Sequence, residues 1–374
     1  MGDLFSNVLN ITWQQVVMWV IGGVLIYLAI KKEMEPTLLL PVGFGAILVN
    51  LPLSGAVTQI YDTGTEEGVI DILFNAGIAN ELFPLLLFIG IGAMIDFGPL
   101  LSNPKMILFG AAAQFGIFFT ISLASLFGFE IKDAASIGII GAADGPTSIF
   151  VANYFDSKYI GAIIVAAYSY MALVPIVQPA VIRLITTKKE RMIRMPYEQK
   201  NVSKMTRILF PVLITVVAGI VAPRSVSLIG FLMFGNLIRE CGVLNSLSET
   251  AQNALANLVT LLLGITIATK MQASLFLTPE TLLIMGLGLI AFIFDTVGGV
   301  FFAKFLNLFS KKKINPMVGA AGISAFPMSA RVIHKMGLKE DPQNFLLMHA
   351  VGANVSGQIA SVIAGGLILS LVAR

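Results

Sequence analysis

Ten apolar stretches, at about 14–31, 36–53, 82–97, 104–128, 159–186, 206–222, 225–240, 255–270, 279–309 and 343–372, leave this chain no way to fold in water alone. A helix needs about 20 largely apolar residues to cross hydrocarbon, and most of these runs reach or approach that length. Charged residues make up 12% of the chain, whereas soluble domains carry about 25%. The runs are continuous rather than alternating, which selects a helical bundle over a barrel. The expected fold class is therefore an all-α polytopic membrane protein.

Other classes fall away on composition. The net charge of +3 comes from Lys and Arg in the loops and does not point to nucleic acid. The single cysteine, Cys241, excludes an internal disulfide and a cysteine-rich metal site. No Gly-rich phosphate loop ending in Gly-Lys-Ser/Thr occurs, so ATP hydrolysis by this chain is not expected. The first residues are not basic and no small-residue cleavage site follows the first apolar run, so no signal peptide is expected.

Two further stretches, about 134–153 and 315–333, are rich in Gly, Ala, Ser and Pro. Neither suits an uninterrupted helix, because proline lacks a donor and glycine is a poor helix former. They read as re-entrant or discontinuous helices. Non-helical backbone at membrane depth persists only inside protein or around a water-filled site. The longest polar stretch, Lys188–Arg207, divides the chain into a first membrane repeat (1–187) and a second (208–374), with 188–207 as connector.

The halves are alike in order: Leu86–Pro104 resembles Leu261–Pro279, and Gly141-Ala142-Ala143 corresponds to Gly319-Ala320-Ala321. Tyr170 then falls opposite Asn354. About five spans per half start the second repeat from the other side, giving inverted-topology repeats whose breaks meet near the midplane. Lys31, Lys32, Lys105, the Lys188–Arg207 run, Lys311–Lys313, Lys335 and Lys339 then share one side, leaving Lys132, Lys158, Arg224 and Lys270 opposite. The positive-inside rule makes the first side cytoplasmic and puts the N-terminus outside.

Asp144 stands in Gly141-Ala142-Ala143-Asp144-Gly145-Pro146-Thr147-Ser148, between membrane-grade apolar sequence. A carboxylate at that depth marks an ion path or a partner charge, with Thr147 and Ser148 as added oxygens; the alternative is a buried helix N-cap. Asn315 and Ser324 offer neutral oxygens at the second break, or a cap and small-residue packing. Asn354, Gln358 and Ser361 share one helix face, as helix glue or as a site lining. Arg331 ends the second break, as a bidentate carboxylate clamp or a snorkelling interfacial residue. Tyr170 donates a proton or merely satisfies its hydroxyl. Asp295 is a second intramembrane carboxylate, paired with Lys304 or Lys270 or bound to a cation. His334 and His349 are too few for a metal site.

Taken in order, GAADGPTSIF, AAYSYMALVP, NPMVGAAGISAFPMSARV and GANVSGQIAS resemble the β subunit of the biotin-dependent sodium-pumping decarboxylases, over essentially the whole chain. The resemblance is to the compact members that serve acyl-CoA enzymes more than to the longer oxaloacetate type. It implies a membrane subunit that decarboxylates carboxybiotin, consumes a proton and moves Na⁺ outward across the bacterial inner membrane. It implies Asp144, Asn315, Asn354 and Ser361 as Na⁺ residues. Tyr170, Ser324 and Arg331 would serve carboxybiotin and the proton, with Gly319 allowing close packing. The implied partners are a carboxyltransferase α subunit, a biotin carrier that presents the carboxybiotin, a small single-span membrane subunit and further copies of the chain. A Na⁺-coupled carrier of small organic anions fits the residue pattern as well and is the competing class.

Overall fold

A computed structural model describes residues 10–61, 64–196 and 201–372. Each of the ten apolar stretches lies on a helix: α1 (Trp13–Lys31), α2 (Pro36–Val49), α3 (Leu82–Met94), α4 (Ile107–Ala113) and α5 (Phe115–Leu126) with Gln114 between them, then, beyond the first break, α8 (Ile160–Ile185), α9 (Lys204–Val221), α10 (Val226–Cys241), α11 (Ala256–Ile267), α12 (Pro279–Phe309) and, beyond the second, α15 (Leu347–Val372). The first break separates α6 (Ile131–Gly138) from α7 (Gly145–Tyr154), and the second separates α13 (Pro316–Ala320) from α14 (Met328–Glu340). Among the described residues, seven helices are long and apolar enough to cross a membrane, or eight if the bent pair Val69–Gly77 and Leu82–Met94 counts as one span. The polar stretch after α2 forms a two-stranded hairpin, β1 (Gln59–Tyr61) on β2 (Gly64–Glu66).

Helix starts follow local chemistry. Thr12 and Gln15 close a capping box at α1, the Thr12 hydroxyl accepting from the Gln15 amide at 3.3 Å and the Gln15 side chain from the Thr12 amide at 2.9 Å. Proline occupies the first helical position of α2, α12 and α13, where its missing N–H costs nothing. The helices that face outward are apolar outside. Val16, Val20 and Val24 of α1, and Leu213, Val217 and Ile220 of α9, are all exposed, as hydrocarbon demands. Polar side chains are turned inward instead, where Thr147, Ser148, Gln178, Asp295, Asn315, Asn354 and Ser361 are buried.

Each half lends elements to the other. Helix α2 packs on α11 and α10 on α3, while α8 packs on α12 and α15 on α4. The ends of each broken segment also come together. Ser157, just after α7, donates its hydroxyl to Asp133 near the start of α6 at 2.6 Å. Asn315 and Asn344, on either side of the second broken segment, both donate to the Arg191 carbonyl, at 2.8 and 3.0 Å. Each segment therefore leaves near where it enters. The start of the connector grips the second one, through Arg191–Glu340 at 2.9 Å and Arg194–Asp341 at 2.5 Å.

Candidate ion site at the crossing of two helix breaks

The tips of the two broken segments touch. Ser324 donates its backbone N–H to the Ala142 carbonyl at 3.1 Å. Ala143 takes a left-handed conformation, φ 51°, which turns the chain so that Asp144 can cap α7. A non-glycine residue held there is a local cost that packing must offset.

Asp144 is buried, and every hydrogen bond to its carboxylate comes from a short side chain or an amide. One oxygen accepts from the Thr147 amide at 3.3 Å. The other accepts from the Thr147 hydroxyl at 2.7 Å and from Ser361 of α15 at 3.1 Å. Asp144 caps α7, as the capping alternative expects, and no Lys or Arg pairs with its carboxylate among the described residues. Ser148 turns its hydroxyl onto the Asp144 carbonyl at 2.8 Å instead of toward the carboxylate.

Helix α15 joins the two tips. Asn354 donates to the Ile323 carbonyl at 2.7 Å, Gln358 to the Ser324 carbonyl, and the Ser324 hydroxyl to the Gly357 carbonyl at 3.2 Å. Ser361, one turn further, reaches Asp144. The amide oxygens of Asn354 and Gln358 remain buried without a partner. A buried acceptor left bare costs free energy that a bound cation removes. One carboxylate with hydroxyl and amide oxygens is the donor set of a hard monovalent ion. Among the described residues, no group of three His, Cys, Asp or Glu could hold a transition metal.

The remaining candidates lie elsewhere. Asn315 caps α13, accepting from the Met317 amide at 3.0 Å and donating to the Arg191 and Ile193 carbonyls, so none of its hydrogen bonds leads to Asp144. Gly319 lets α13 cross α12: a Cβ there would lie 2.0 Å from the Gly299 carbonyl oxygen. The Tyr170 hydroxyl donates to the Met285 carbonyl on α12. Asp295 meets neither proposed lysine. Lys304 pairs with Glu190 at 3.0 Å, and Lys270 lies over the Phe74 ring at 4.5 Å. One Asp295 oxygen accepts from the Ile117 amide at the start of α5, at 3.1 Å, and the other is buried without a partner.

Arg331 is exposed in a cleft of about 770 Å³ between α8, α14 and the turn from α1 to α2. Its guanidinium makes no ion pair within 4 Å among the described residues. Glu35 lies in the same cleft. Burial pushes its carboxyl above the ordinary value, and the Arg331 charge draws it partly back.

Two contributors were not singled out from sequence. Tyr168 packs against the tip, its ring 2.2 Å from where a Gly145 Cβ would stand, and its buried hydroxyl has no partner among the described residues. It is also close enough to Asp144 to interact with it electrostatically. Gln178, between Pro175 and Pro179 of α8, donates to the Ala320 carbonyl at 2.8 Å and shares hydrogen bonds with Ser329. Two prolines within one helix were the available signal for Gln178, since freed backbone there invites a side-chain clamp.

Residues 14–372 match the family described as the Na⁺-transporting oxaloacetate decarboxylase beta subunit. The chain is 48% identical to the methylmalonyl-CoA decarboxylase subunit beta of Propionigenium modestum, over 95% of this chain and 94% of the relative. It is 48% identical to the glutaconyl-CoA decarboxylase subunit beta of Acidaminococcus fermentans, over 98% and 96%. It is 43% identical to a probable oxaloacetate decarboxylase beta chain of Vibrio cholerae, over 97% and 96%.

Proposed function

Because this chain belongs to the beta-subunit family of the Na⁺-transporting decarboxylases, we propose that Na⁺ is carried at the crossing of the two breaks, with Asp144 as its charge partner. The chain is a decarboxylase subunit in a multi-subunit complex, with decarboxylation coupled to Na⁺ transport, and membership of this family decides against the organic-anion symporter. The observations that carry the site are the Asp144 carboxylate beside the tip contact, bonded by Thr147 and Ser361, and the unpartnered amide oxygens of Asn354 and Gln358 on the helix that bears Ser361.

The rest of the reading follows from chemistry. Arg331 faces the cleft with its donors free and holds the carboxylate of carboxybiotin, which a biotin carrier subunit presents. Loss of CO₂ breaks the N–C bond and leaves the ureido nitrogen in need of one proton. Asp144 binds either Na⁺ or a proton, so the two exclude each other, and that exclusion couples the steps. Ser324 joins the halves of the machine: its amide holds the first tip while its other bonds hold α15. Tyr168, with a free hydroxyl beside Asp144, serves the proton step. Tyr170 fixes α8 against α12 so that Tyr168 stays in place. Asn354 and Ser361 complete the Na⁺ shell, and Asn315 supports it by tying the second segment to the connector.

The architecture fits two inverted repeats, 1–187 and 208–374, joined by a cytoplasmic connector at 188–207. The exchanged packing of α2 and α10 supports it. So does the placement of one hairpin end pair at Asp133–Ser157 and the other at the connector. In this reading the first hairpin enters from outside, the second from the cytoplasm of a bacterial inner-membrane protein, and the N-terminus lies outside. A carboxyltransferase α subunit, the biotin carrier, a small single-span subunit and further β copies complete the complex.

The test is Asp144→Asn, which keeps the cap acceptor and removes the charge. Na⁺-stimulated decarboxylation of carboxybiotin and Na⁺ uptake into proteoliposomes should both vanish. Normal Na⁺ stimulation in that variant would sink the proposal.

A further inference from the structure

The cleft that holds Arg331 carries more positive charge than one carboxylate needs. Arg331, Lys335 and Lys339 stand four residues apart on α14, hence on one face, and all three are exposed. At 1.5 Å rise per residue they form a track about 12 Å long. Arg183 of α8 and Lys32 at the end of α1 line the same cleft. Among the described residues none of these five cations makes an ion pair within 4 Å. The acidic side chains lining the cleft are Glu33 and Glu35.

Nearby cations behave differently. Arg191, Arg194, Arg207 and Lys304 are each paired with a carboxylate. Among the described residues the five cleft cations have no such partner, and they outnumber the two glutamates that line the cleft with them. Glu33 and Glu35 also hold the α1–α2 turn in left-handed backbone, at φ 51° and 40°, a cost kept where the turn forms the cleft wall.

Only the inner end of this track lies beside the second tip, since Met328 begins α14 and Arg331 follows within its first turn. Lys335 and Lys339 lie one and two turns further out. We infer that Lys335 and Lys339, with Arg183 and Lys32 across the cleft, form a docking surface for an acidic face of the soluble domain that delivers the carboxylate, and take no part in the chemistry at Arg331. The inference rests on the preceding reading for the nature of the delivered group. Exposed charges of this kind govern encounter rate and salt dependence, not the bond-breaking step. A cargo on a long flexible arm suits the arrangement: the protein body rests on the outer cations while the arm reaches Arg331.

The experiment uses the complete chain in nanodiscs of neutral lipid, with two substrates: carboxybiotin on its carrier domain and free carboxybiotin. The variants are Lys335→Glu/Lys339→Glu and the milder Lys335→Gln/Lys339→Gln. The charge-reversed pair should raise KM for the carrier on the order of tenfold, and the neutral pair less, with kcat unchanged. Rising salt should weaken carrier kinetics in the wild type and matter less in the variants. Free carboxybiotin should be decarboxylated at wild-type rate by both, which also shows that they fold. Equal losses with free and carrier-borne substrate would overturn the inference by placing the lysines in the chemistry. So would an unchanged carrier KM in neutral lipid with an effect confined to anionic lipid, which would make this a headgroup site. A wild type that releases no CO₂ from either substrate would refute the functional reading itself, a separate outcome.

Discussion

Ser324 and Ala142 come from opposite halves of the chain and share a backbone hydrogen bond of 3.1 Å at the point where two broken segments meet. The contact lies two residues before Asp144. A movement of the second tip is therefore transmitted to within two residues of Asp144. A single bond between backbones is also weak enough to break, being worth about 0.5–1.5 kcal/mol net. Helix α15 adds to the register of the tips, because Asn354, Gln358 and Gly357 bond the second tip while Ser361 bonds Asp144 of the first.

Ser361 is the link from α15 to Asp144, at 3.1 Å. Ser361→Ala should leave folding intact and raise the Na⁺ concentration for half-maximal decarboxylation several-fold, since one neutral ligand is lost and the charge remains. Thr147→Val should do more, because the hydroxyl at 2.7 Å is the shorter contact. Titrating decarboxylation against Na⁺ checks both. An unchanged Na⁺ dependence in both variants would remove these hydroxyls from the shell.

Tyr168 and Tyr170 separate two roles that look alike in sequence. Two residues on a helix differ by about 200° in direction, so only one can face Asp144. Tyr168→Phe should slow decarboxylation at saturating Na⁺ and flatten its pH profile, with no loss of thermal stability. Tyr170→Phe removes the hydrogen bond to the Met285 carbonyl and should lower stability by about 1 kcal/mol. Rates and melting curves of the two variants, measured side by side, settle the assignment; a rate effect from Tyr170→Phe alone would reverse it.

The ten apolar runs named the helices because hydrocarbon length is a one-dimensional constraint, and Pro and Gly marked both breaks for the same local reason. The site was half legible. Asp144 stood out by its cost, and Asn354, Gln358 and Ser361 by their spacing on one face. Asn315 looked equivalent to them because an amide after a polar loop suits a ligand or a cap. Only the three-dimensional path of Arg191 and Ile193 reveals that its hydrogen bonds are spent there. Which of the two tyrosines lies beside Asp144 was hidden because it depends on how α8 is rotated about its axis. The lysine partners suggested for Asp295 failed because sequence gives depth in the membrane but not azimuth.

The connector should let go in acid. The hydrogen bond and charge of Arg194 hold the Asp341 carboxyl below its ordinary value, and a further bond from the Gln343 amide adds to this. A depressed carboxyl contributes to docking in full above the ordinary carboxylate pKa of about 4, and that contribution is lost as pH falls through the lower folded value. Protease cleavage within 188–207 should therefore accelerate only below about pH 4 in the wild type. In Asp341→Asn it should be faster above about pH 4 and respond less to acid, with the Arg191–Glu340 pair as the remaining ionic anchor. A wild-type connector that stays protected through that fall would place its anchorage elsewhere.

Asp295 supplies the last prediction. Its bonded oxygen receives the Ile117 amide, where the interruption at Gln114 between α4 and α5 frees backbone donors, so the side chain acts as a cap lent by another helix. The second oxygen lies 2.9 Å from where a Gly141 Cβ would stand, against the first tip. Asp295→Ala leaves a buried amide without an acceptor and should cost about 1–3 kcal/mol. Asp295→Asn keeps the acceptor and the volume, and should recover most of that loss. Melting of the three proteins in detergent tests the cap. If the asparagine variant is as unstable as the alanine variant, the charge rather than the hydrogen bond holds the start of α5, and a cation beside Asp295 becomes the required partner.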